Sequence, residues 1–112
     1  MTDRELLELA AKAAGMVLGE WHGSGYWADM RDSPYGEVAR HWNPLTDDGD
    51  ALRLSVKLRI DVNHSITMVV AERDDSVDDF VVGVAEGKSN DPYAATRRAI
   101  VRVAAAIGEK ME

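Results

Sequence analysis

The sequence has no cysteine, no long apolar run and no signal-peptide pattern. Without cysteine there can be no disulfide bridge, thiol nucleophile or thiolate metal site, so packing has to stabilise the fold. No apolar run approaches the roughly 18 residues that a membrane helix needs, and residues 1–12 carry acids where a signal peptide carries only basic residues. These absences predict a protein that stays in the cytoplasm and has no membrane partner.

Positive charge is also scarce, because 13 Lys and Arg face 20 Asp and Glu, which gives a net charge of −7. This balance repels phosphate backbones, so we expect no direct binding to duplex nucleic acid. Only Arg97, Arg98 and Arg102 cluster, and we interpret them as a solvated helix surface. The length and the share of apolar residues, 112 and 46%, predict one globular domain over residues 1–112. The oligomeric state stays open between monomer and homodimer.

Helix-start patterns occur near both ends of the chain. Thr2 and Glu5 match a capping box, in which a hydroxyl and a carboxylate satisfy free backbone N–H groups, and they predict a helix over residues 3–14. Pro92 suits the first position of the last helix, where a missing N–H costs nothing. The predicted N-cap of this helix is Asn90 or Asp91. Its expected apolar stripe comprises Tyr93, Ile100, Ala104 and Ile107.

A further helix-start pattern, the segment TDDGD at residues 46–50, contains three acids. We predict that Thr46 is the N-cap of a helix ending near Ile60. Asp47 and Asp48 then lie in the first turn, where the helix dipole favours negative charge. The alternative is a fragment of a calcium loop. The D-D-G-D spacing lacks the alternating ligands and the distal glutamate of an EF-hand, which favours the helix start.

Two hairpins are predicted between the helices. The first turns around Gly23 to Gly25, since glycine tolerates the positive φ that such turns need. The second joins strands at 64–73 and 79–87 through an acidic turn. A sheet with one wet face alternates apolar with polar residues, but in this hairpin apolar residues occupy both sides of each strand. Both faces, including the side chains of Val81 and Val82, are therefore expected to be buried.

The predicted order of elements is α-β-β-α-β-β-α, with the segment from Asp32 to Arg40 as a loop. This order belongs to the α+β fold class. A hairpin that is covered on both sides fits an α/β/α sandwich over a mostly antiparallel four-stranded sheet.

Three blocks of the sequence resemble a known protein family. WNPL at residues 42–45, the segment Asp47 to Leu54 and the closing segment 91–108 are together similar to the phage ABA sandwich domain. This family contains small tailed-phage and prophage proteins of unknown function. The resemblance implies a helix-sheet-helix sandwich, a phage or prophage origin and a location in the host cell cytoplasm. It implies no catalytic residues, and the region from Trp21 to Arg40 matches no family pattern.

No catalytic or metal-binding constellation stands out in the sequence. His22, His41 and His64 lie on separate predicted elements, and none has a second histidine three or four residues away. Ser24 lies between two glycines, but the five-residue nucleophile elbow is absent. A dinucleotide-binding glycine motif and a Walker lysine are absent as well. We therefore expect no catalytic residue, no metal ligand and no cofactor.

Aromatic and acidic side chains are the best candidates for contacts with a partner. Trp27 follows Tyr26 on a predicted strand, so the two rings point to opposite faces and one can remain at the surface. Trp42 is the second aromatic candidate, and core packing is the alternative for each tryptophan. The acidic candidates lie on the turn of the second hairpin, where acids are otherwise solvated turn residues. They are Asp74, Asp75, Asp78 and Asp79.

These observations favour a non-enzymatic binding module, namely a phage accessory protein that binds a host or phage protein and modulates a host protein or defence system. The expected partner presents a basic surface. The alternative is a small ligand-binding domain or enzyme with a pocket near the first hairpin, where His22, Ser24 or His41 supplies polar groups. Side chains that share a proton must lie within hydrogen-bond reach, so their spacing discriminates between the two hypotheses.

Overall fold

The computed structural model describes residues 1–21, 23, 25–29, 39–75, 80–88 and 90–111. These residues form three helices and six strands in the order α-β-β-β-α-β-β-β-α. The helices are α1 (Asp3–Ala14), α2 (Asp48–Leu58) and α3 (Pro92–Lys110). The strands are β1 (Leu18–Trp21), β2 (Tyr26–Asp29), β3 (Ala39–Trp42), β4 (Asp61–His64), β5 (Met68–Asp75) and β6 (Phe80–Gly87).

The described strands form two antiparallel sheets of three strands each. The first sheet has the order β1-β2-β3 and the second has the order β4-β5-β6. The mixed α+β class is therefore confirmed, whereas the predicted four-stranded sheet is wrong. The sequence pattern misses β3 and β4. Each is only four residues long, and the Asp-Val-Asn-His sequence of β4 is too polar to give a strand signal.

The predicted caps of α1 and α3 are confirmed. Thr2 Oγ1 accepts a hydrogen bond from Glu5 N at 3.2 Å, and Glu5 Oε1 accepts one from Thr2 N at 3.4 Å. α1 ends at Gly15, whose φ of 70° is left-handed and carries no steric penalty for glycine. Asp91 caps α3 by accepting a hydrogen bond from Ala94 N at 3.0 Å.

α3 occupies the centre of the core and packs against α1, α2, β5 and β6. A Cβ on Gly108 would collide with the carbonyl oxygen of Leu9, so α1 and α3 touch backbone to backbone at this point. Tyr93 lies before the covered part of the helix and is 68% exposed, which makes its predicted place in the apolar stripe wrong. The buried residues of α3 are Ala99, Ile100, Val101, Val103, Ala104, Ala105, Ile107 and Gly108.

The second sheet has one covered face in the described part of the protein. Val69 and Ala71 of β5 lie on the face that packs against α3 and are fully buried. Val82 and Val84 of β6 lie on the same face and are half-buried. On the opposite face Val81 is 66% exposed. The prediction of two buried faces is therefore wrong, because α1 and α2 pack against α3 and leave that face to solvent.

Candidate functional site

Strand β2 separates two aromatic residues onto opposite faces of the first sheet. Tyr26 is 5% exposed, and its cross-strand partner Trp42 is 3% exposed. Trp27 pairs with His41 on the other face and is 41% exposed. Trp27 therefore remains a candidate contact residue. The prediction for Trp42 is wrong, because its register with Tyr26 places it on the core face.

Trp27 lies on the middle strand between two unequal neighbours. On β1, a Cβ added to Gly19 would lie 3.3 Å from the Trp27 carbonyl oxygen and 3.6 Å from Trp27 Cβ, so glycine lets β1 approach Trp27 closely. On β3, the exposed ring of His41 stands edge-on to the indole, with 6.4 Å between centroids and an interplanar angle of 88°. This is a favoured arrangement for two aromatic rings. We call Gly19, Trp27 and His41 the tryptophan face.

The backbone at the edge of the tryptophan face restricts the His41 ring. A Cβ on Gly25 would lie 2.6 Å from His41 Cε1 and 2.9 Å from the carbonyl oxygen of Trp42. Such a close approach requires glycine, which has no side chain. The His41 ring therefore lies directly against the chain that enters β2, and this contact holds the aromatic neighbour of Trp27 in position.

The opposite face of the first sheet is attached to α1 by an aromatic and charged cluster. The rings of Trp21 and Tyr26 meet edge to face at 5.1 Å, and the Arg4 guanidinium lies 4.9 Å from the Trp21 ring centroid. The Tyr26 hydroxyl donates a hydrogen bond of 2.6 Å to Glu8 Oε1. These contacts fix the face of the sheet opposite Trp27 to α1.

Burial raises the pKa of Tyr26 above its ordinary value of 10.0, because the phenolate would lose its hydration. The hydrogen bond to Glu8 raises this pKa further, since a carboxylate accepts a hydrogen bond only from the protonated phenol. Arg4 acts on the pKa in the opposite direction. Tyr26 thus stays protonated at neutral pH and serves as a structural hydrogen-bond donor.

Of the four predicted acidic contact residues, the structure describes Asp74 and Asp75. Asp74 lies near the end of β5, is exposed and pairs in register with Val81 of β6. Asp75 is the last residue of β5. Asp78 and Asp79 lie outside the described residues. Asp74 therefore remains a candidate contact with a basic partner, and the assignment of the other three acids stays a prediction.

The acids of the TDDGD segment lie at a corner between β3 and α2. Asp47 is the N-cap, because its Oδ2 accepts a hydrogen bond of 2.8 Å from Asp50 N. The predicted cap, Thr46, is wrong, since its hydroxyl instead lies 3.4 Å from the carbonyl oxygen of Asn43. The buried Asp50 carboxylate accepts hydrogen bonds from Asn43 N at 3.0 Å and from Arg53 at 2.7 Å. The acids thus begin the helix and fix the corner, and the role of Asp50 is missed by the sequence pattern.

The clustered arginines of α3 pair with acids on other elements. The pairs are Arg97–Asp48 at 2.6 Å, Arg98–Asp3 at 3.1 Å and Arg102–Glu86 at 2.8 Å. They join α3 to α2, α1 and β6. Arg97 also donates a hydrogen bond of 2.8 Å to the carbonyl oxygen of Leu45. The side chains of Arg98 and Arg102 remain 43% and 44% exposed, so the predicted solvated helix surface also carries ion pairs to other elements.

The structure describes one of the three polar groups of the pocket hypothesis. His41 belongs to β3, whereas His22 and Ser24 lie outside the described residues. His64 belongs to β4 in the second sheet. Within the described ranges, no three His, Asp or Glu side chains form a group that could hold a metal ion. A pocket near the first hairpin stays a prediction.

None of the described helices is long and apolar enough to cross a membrane. No protein-family model, curated protein or solved structure matches the chain. The resemblance to the phage ABA sandwich domain therefore stays a prediction.

Proposed function

We propose that the protein is a non-enzymatic phage accessory protein that binds a host or phage protein through the tryptophan face and thereby modulates a host protein or defence system. The observation that carries the proposal is the 41% exposure of Trp27 on the middle strand of a sheet whose other face is attached to α1. Tryptophan is mostly buried in folded proteins, and it is enriched among the residues that dominate binding energy at interfaces.

The tryptophan face is prepared for binding because its parts are already held in place. A partner gains most from an anchor that has lost its rotamer freedom before binding. Trp27 packs edge-on to His41, and His41 lies against Gly25. Burying the indole against a partner therefore costs little additional conformational entropy.

Charge determines the chemistry of the expected partner. The protein has a net charge of −7, and the clustered arginines of α3 are paired with its own acids. Asp74 adds an exposed carboxylate on the second sheet. A basic protein surface with an apolar cleft for an indole is complementary to this chain, and attraction between opposite charges accelerates the encounter.

The proposed phage origin rests on the resemblance of three sequence blocks to the phage ABA sandwich domain, and these blocks build the scaffold of the fold. Residues 42–45 and the segment from Asp47 to Leu54 meet at the corner where Asn43 N donates to Asp50. Residues 91–108 form most of α3. Trp27 lies in the region from Trp21 to Arg40 that has no family counterpart, as expected for a residue that recognises a partner particular to this protein.

Affinity capture tests this proposal. Immobilised wild-type protein, Trp27→Ala and Leu52→Ala are exposed to a bacterial lysate at several salt concentrations, and the retained proteins are quantified by mass spectrometry. Leu52 is the matched control, because it is an apolar residue of α2 with 63% exposure. We expect a partner that wild type and Leu52→Ala retain equally, and that Trp27→Ala and higher salt release.

Circular dichroism and thermal melting establish that each variant keeps the wild-type fold. A partner that Trp27→Ala retains as well as wild type contradicts the assignment of the tryptophan face. The binding-module proposal is overturned if wild type retains nothing above the level of an unrelated acidic protein. Turnover of a small substrate that is lost on His41→Ala would favour the enzyme alternative.

A further inference from the structure

β6 is a long edge strand of the second sheet. Edge strands usually carry charges, prolines or bulges that prevent pairing with another chain. The other edge strand, β4, follows this rule, since it has four residues that include Asp61, Asn63 and His64. β6 has eight residues, and Glu86 is the one charged residue among them. The two edges of the same sheet therefore differ in their ability to accept a further strand.

The alternation of hydrogen bonds shows which backbone groups of β6 face the free edge. Lys88 N donates to the carbonyl oxygen of Thr67 at 2.9 Å, and this pair is in register with the β5–β6 ladder. Hydrogen-bonded pairs recur at every second residue of an antiparallel ladder, so the backbone groups of Glu86, Val84 and Val82 point to β5. The intervening residues point their N–H and C=O groups away from β5. They are Val81, Gly83, Ala85 and Gly87.

These four edge residues have no hydrogen-bond partner on the free side within the described part of the chain. Their side chains lie on the exposed face of the sheet, where Val81 is 66% exposed. Gly83 and Gly87 have no side chain and Ala85 has one methyl group. Among the described residues, this edge is therefore a row of unpaired backbone donors and acceptors whose own side chains are small at three of the four positions.

We propose that β6 is the docking edge for a second copy of this chain, which pairs antiparallel and joins the two second sheets into one sheet of six strands. The edge is self-complementary. When Val84 lies opposite Val84 of the second copy, Val81 lies opposite Gly87 of that copy and Gly83 lies opposite Ala85. Each edge residue then faces an edge residue, and the faces that pack against α3 lie on the same side of the joined sheet.

Charge permits this contact and gives it a distinct salt dependence. Glu86 is paired with Arg102 at 2.8 Å, so the strand is locally neutral. The net charge of −7 repels a second copy at a distance. Salt at about 0.15 M screens such repulsion beyond roughly 8 Å. Dimer formation should therefore strengthen with salt, whereas binding of a basic partner to the tryptophan face should weaken.

A change of one backbone donor tests the pairing. Gly83→Pro removes the N–H that points to the free edge and leaves the hydrogen bonds to β5 intact, while Gly83→Ala keeps the donor. A Cβ at this position meets Glu72 Cβ at an ordinary 3.8 Å, so Gly83→Ala fits the monomer, and circular dichroism establishes whether Gly83→Pro keeps the fold. Sedimentation equilibrium covers about 5 to 500 µM protein, the range suited to a small interface. We expect wild type and Gly83→Ala to dimerise, and Gly83→Pro to raise the dimer dissociation constant by more than about tenfold.

The absence of native cysteine permits a second test by disulfide trapping. Val84→Cys places two thiols opposite each other, with Cβ atoms about 4.5–5.5 Å apart, which a disulfide can bridge after a small adjustment. Val82→Cys is the matched control on the same strand and face, but it lies opposite Glu86 of the second copy.

We expect the disulfide-linked dimer to form rapidly with Val84→Cys and slowly with Val82→Cys. Equal rates for the two variants, or no linked dimer with either, overturn the pairing, and this result stands even where Gly83→Pro unfolds the chain. A wild-type protein that sediments as a monomer throughout the concentration range also overturns it.

Discussion

The Asp50 carboxylate is 3% exposed and joins α2 to the end of β3. It accepts hydrogen bonds from Asn43 N, at the end of β3, and from Arg53 on α2. A carboxylate in such a position is costly unless it is hydrogen-bonded and paired with a positive charge. The segment that shares part of a calcium-loop pattern is therefore a structural link, with Asp47 as the helix cap beside it.

Asp50→Ala is expected to lower the free energy of unfolding by about 3 kcal/mol, because Asn43 N–H is left buried without this acceptor. Thr46→Ala is the control, since Thr46 is exposed and is not the cap. Its effect should stay within about 0.5 kcal/mol. Urea denaturation followed by circular dichroism measures both variants. Equal losses would contradict the assignment of Asp47 and Asp50.

Tyr26 predicts a pH dependence of stability in the alkaline range. Its folded-state pKa is raised above 10.0 by burial and by Glu8, so the folded protein holds the phenolic proton more tightly than the unfolded chain does. The resulting stabilisation is complete below pH 10.0 and is lost as the pH rises through the raised pKa. Between pH 10.0 and the raised pKa, the melting temperature of wild type should fall more steeply than that of Tyr26→Phe. Parallel declines would show that Tyr26 ionises equally in both states.

Helix caps are local features, whereas the burial of a strand face depends on distant elements. The cap at Thr2 and Glu5 can be predicted from the sequence because all its partners lie within one turn. The exposure of Val81 cannot be predicted in this way, since it depends on which face of the sheet α3 covers. Adjacency in the sequence predicts that one of two aromatic rings on β2 faces outward. Choosing Trp27 over Trp42 requires the register of β3, a strand that the sequence pattern misses.

Substitutions on the two faces of β6 test the one-sided cover of the second sheet. Val82 is half-buried on the α3 side and Val81 is 66% exposed. Val82→Asp should lower the free energy of unfolding by roughly 2–3 kcal/mol, because the carboxylate loses hydration. Val81→Asp should change it by no more than about 0.5 kcal/mol. Urea denaturation at low protein concentration keeps dimerisation out of the comparison. A comparable loss from Val81→Asp would mean that the outer face is covered.

The contact between α1 and α3 depends on Gly108. A Cβ there would collide with the carbonyl oxygen of Leu9, and backbone cannot move aside as a flexible side chain can. Gly108→Ala should therefore lower the free energy of unfolding by about 3 kcal/mol, although alanine is the better helix former. Gly87→Ala is the control, because a Cβ at Gly87 meets no atom within 4 Å. Thermal and urea unfolding compare the two, and a neutral or stabilising Gly108→Ala would contradict the close approach.

Packing and charge across the protein are both organised by α3. Its apolar side chains contact both other helices and the second sheet, and three of its arginines reach acids on α1, α2 and β6. These internal pairs leave an acidic protein whose described surface offers two different contacts. The tryptophan face of the first sheet suits a basic partner, and the β6 edge of the second sheet suits another copy of the chain.

The most direct test of the proposed function is the dissociation constant of the captured partner, measured by isothermal titration calorimetry for wild type, Trp27→Ala and Leu52→Ala. We predict that Trp27→Ala weakens binding by at least about tenfold, or about 1.4 kcal/mol, as expected for an aromatic anchor. Leu52→Ala should bind as wild type does. A Trp27→Ala affinity within about twofold of wild type would contradict the claim that the tryptophan face is the binding site.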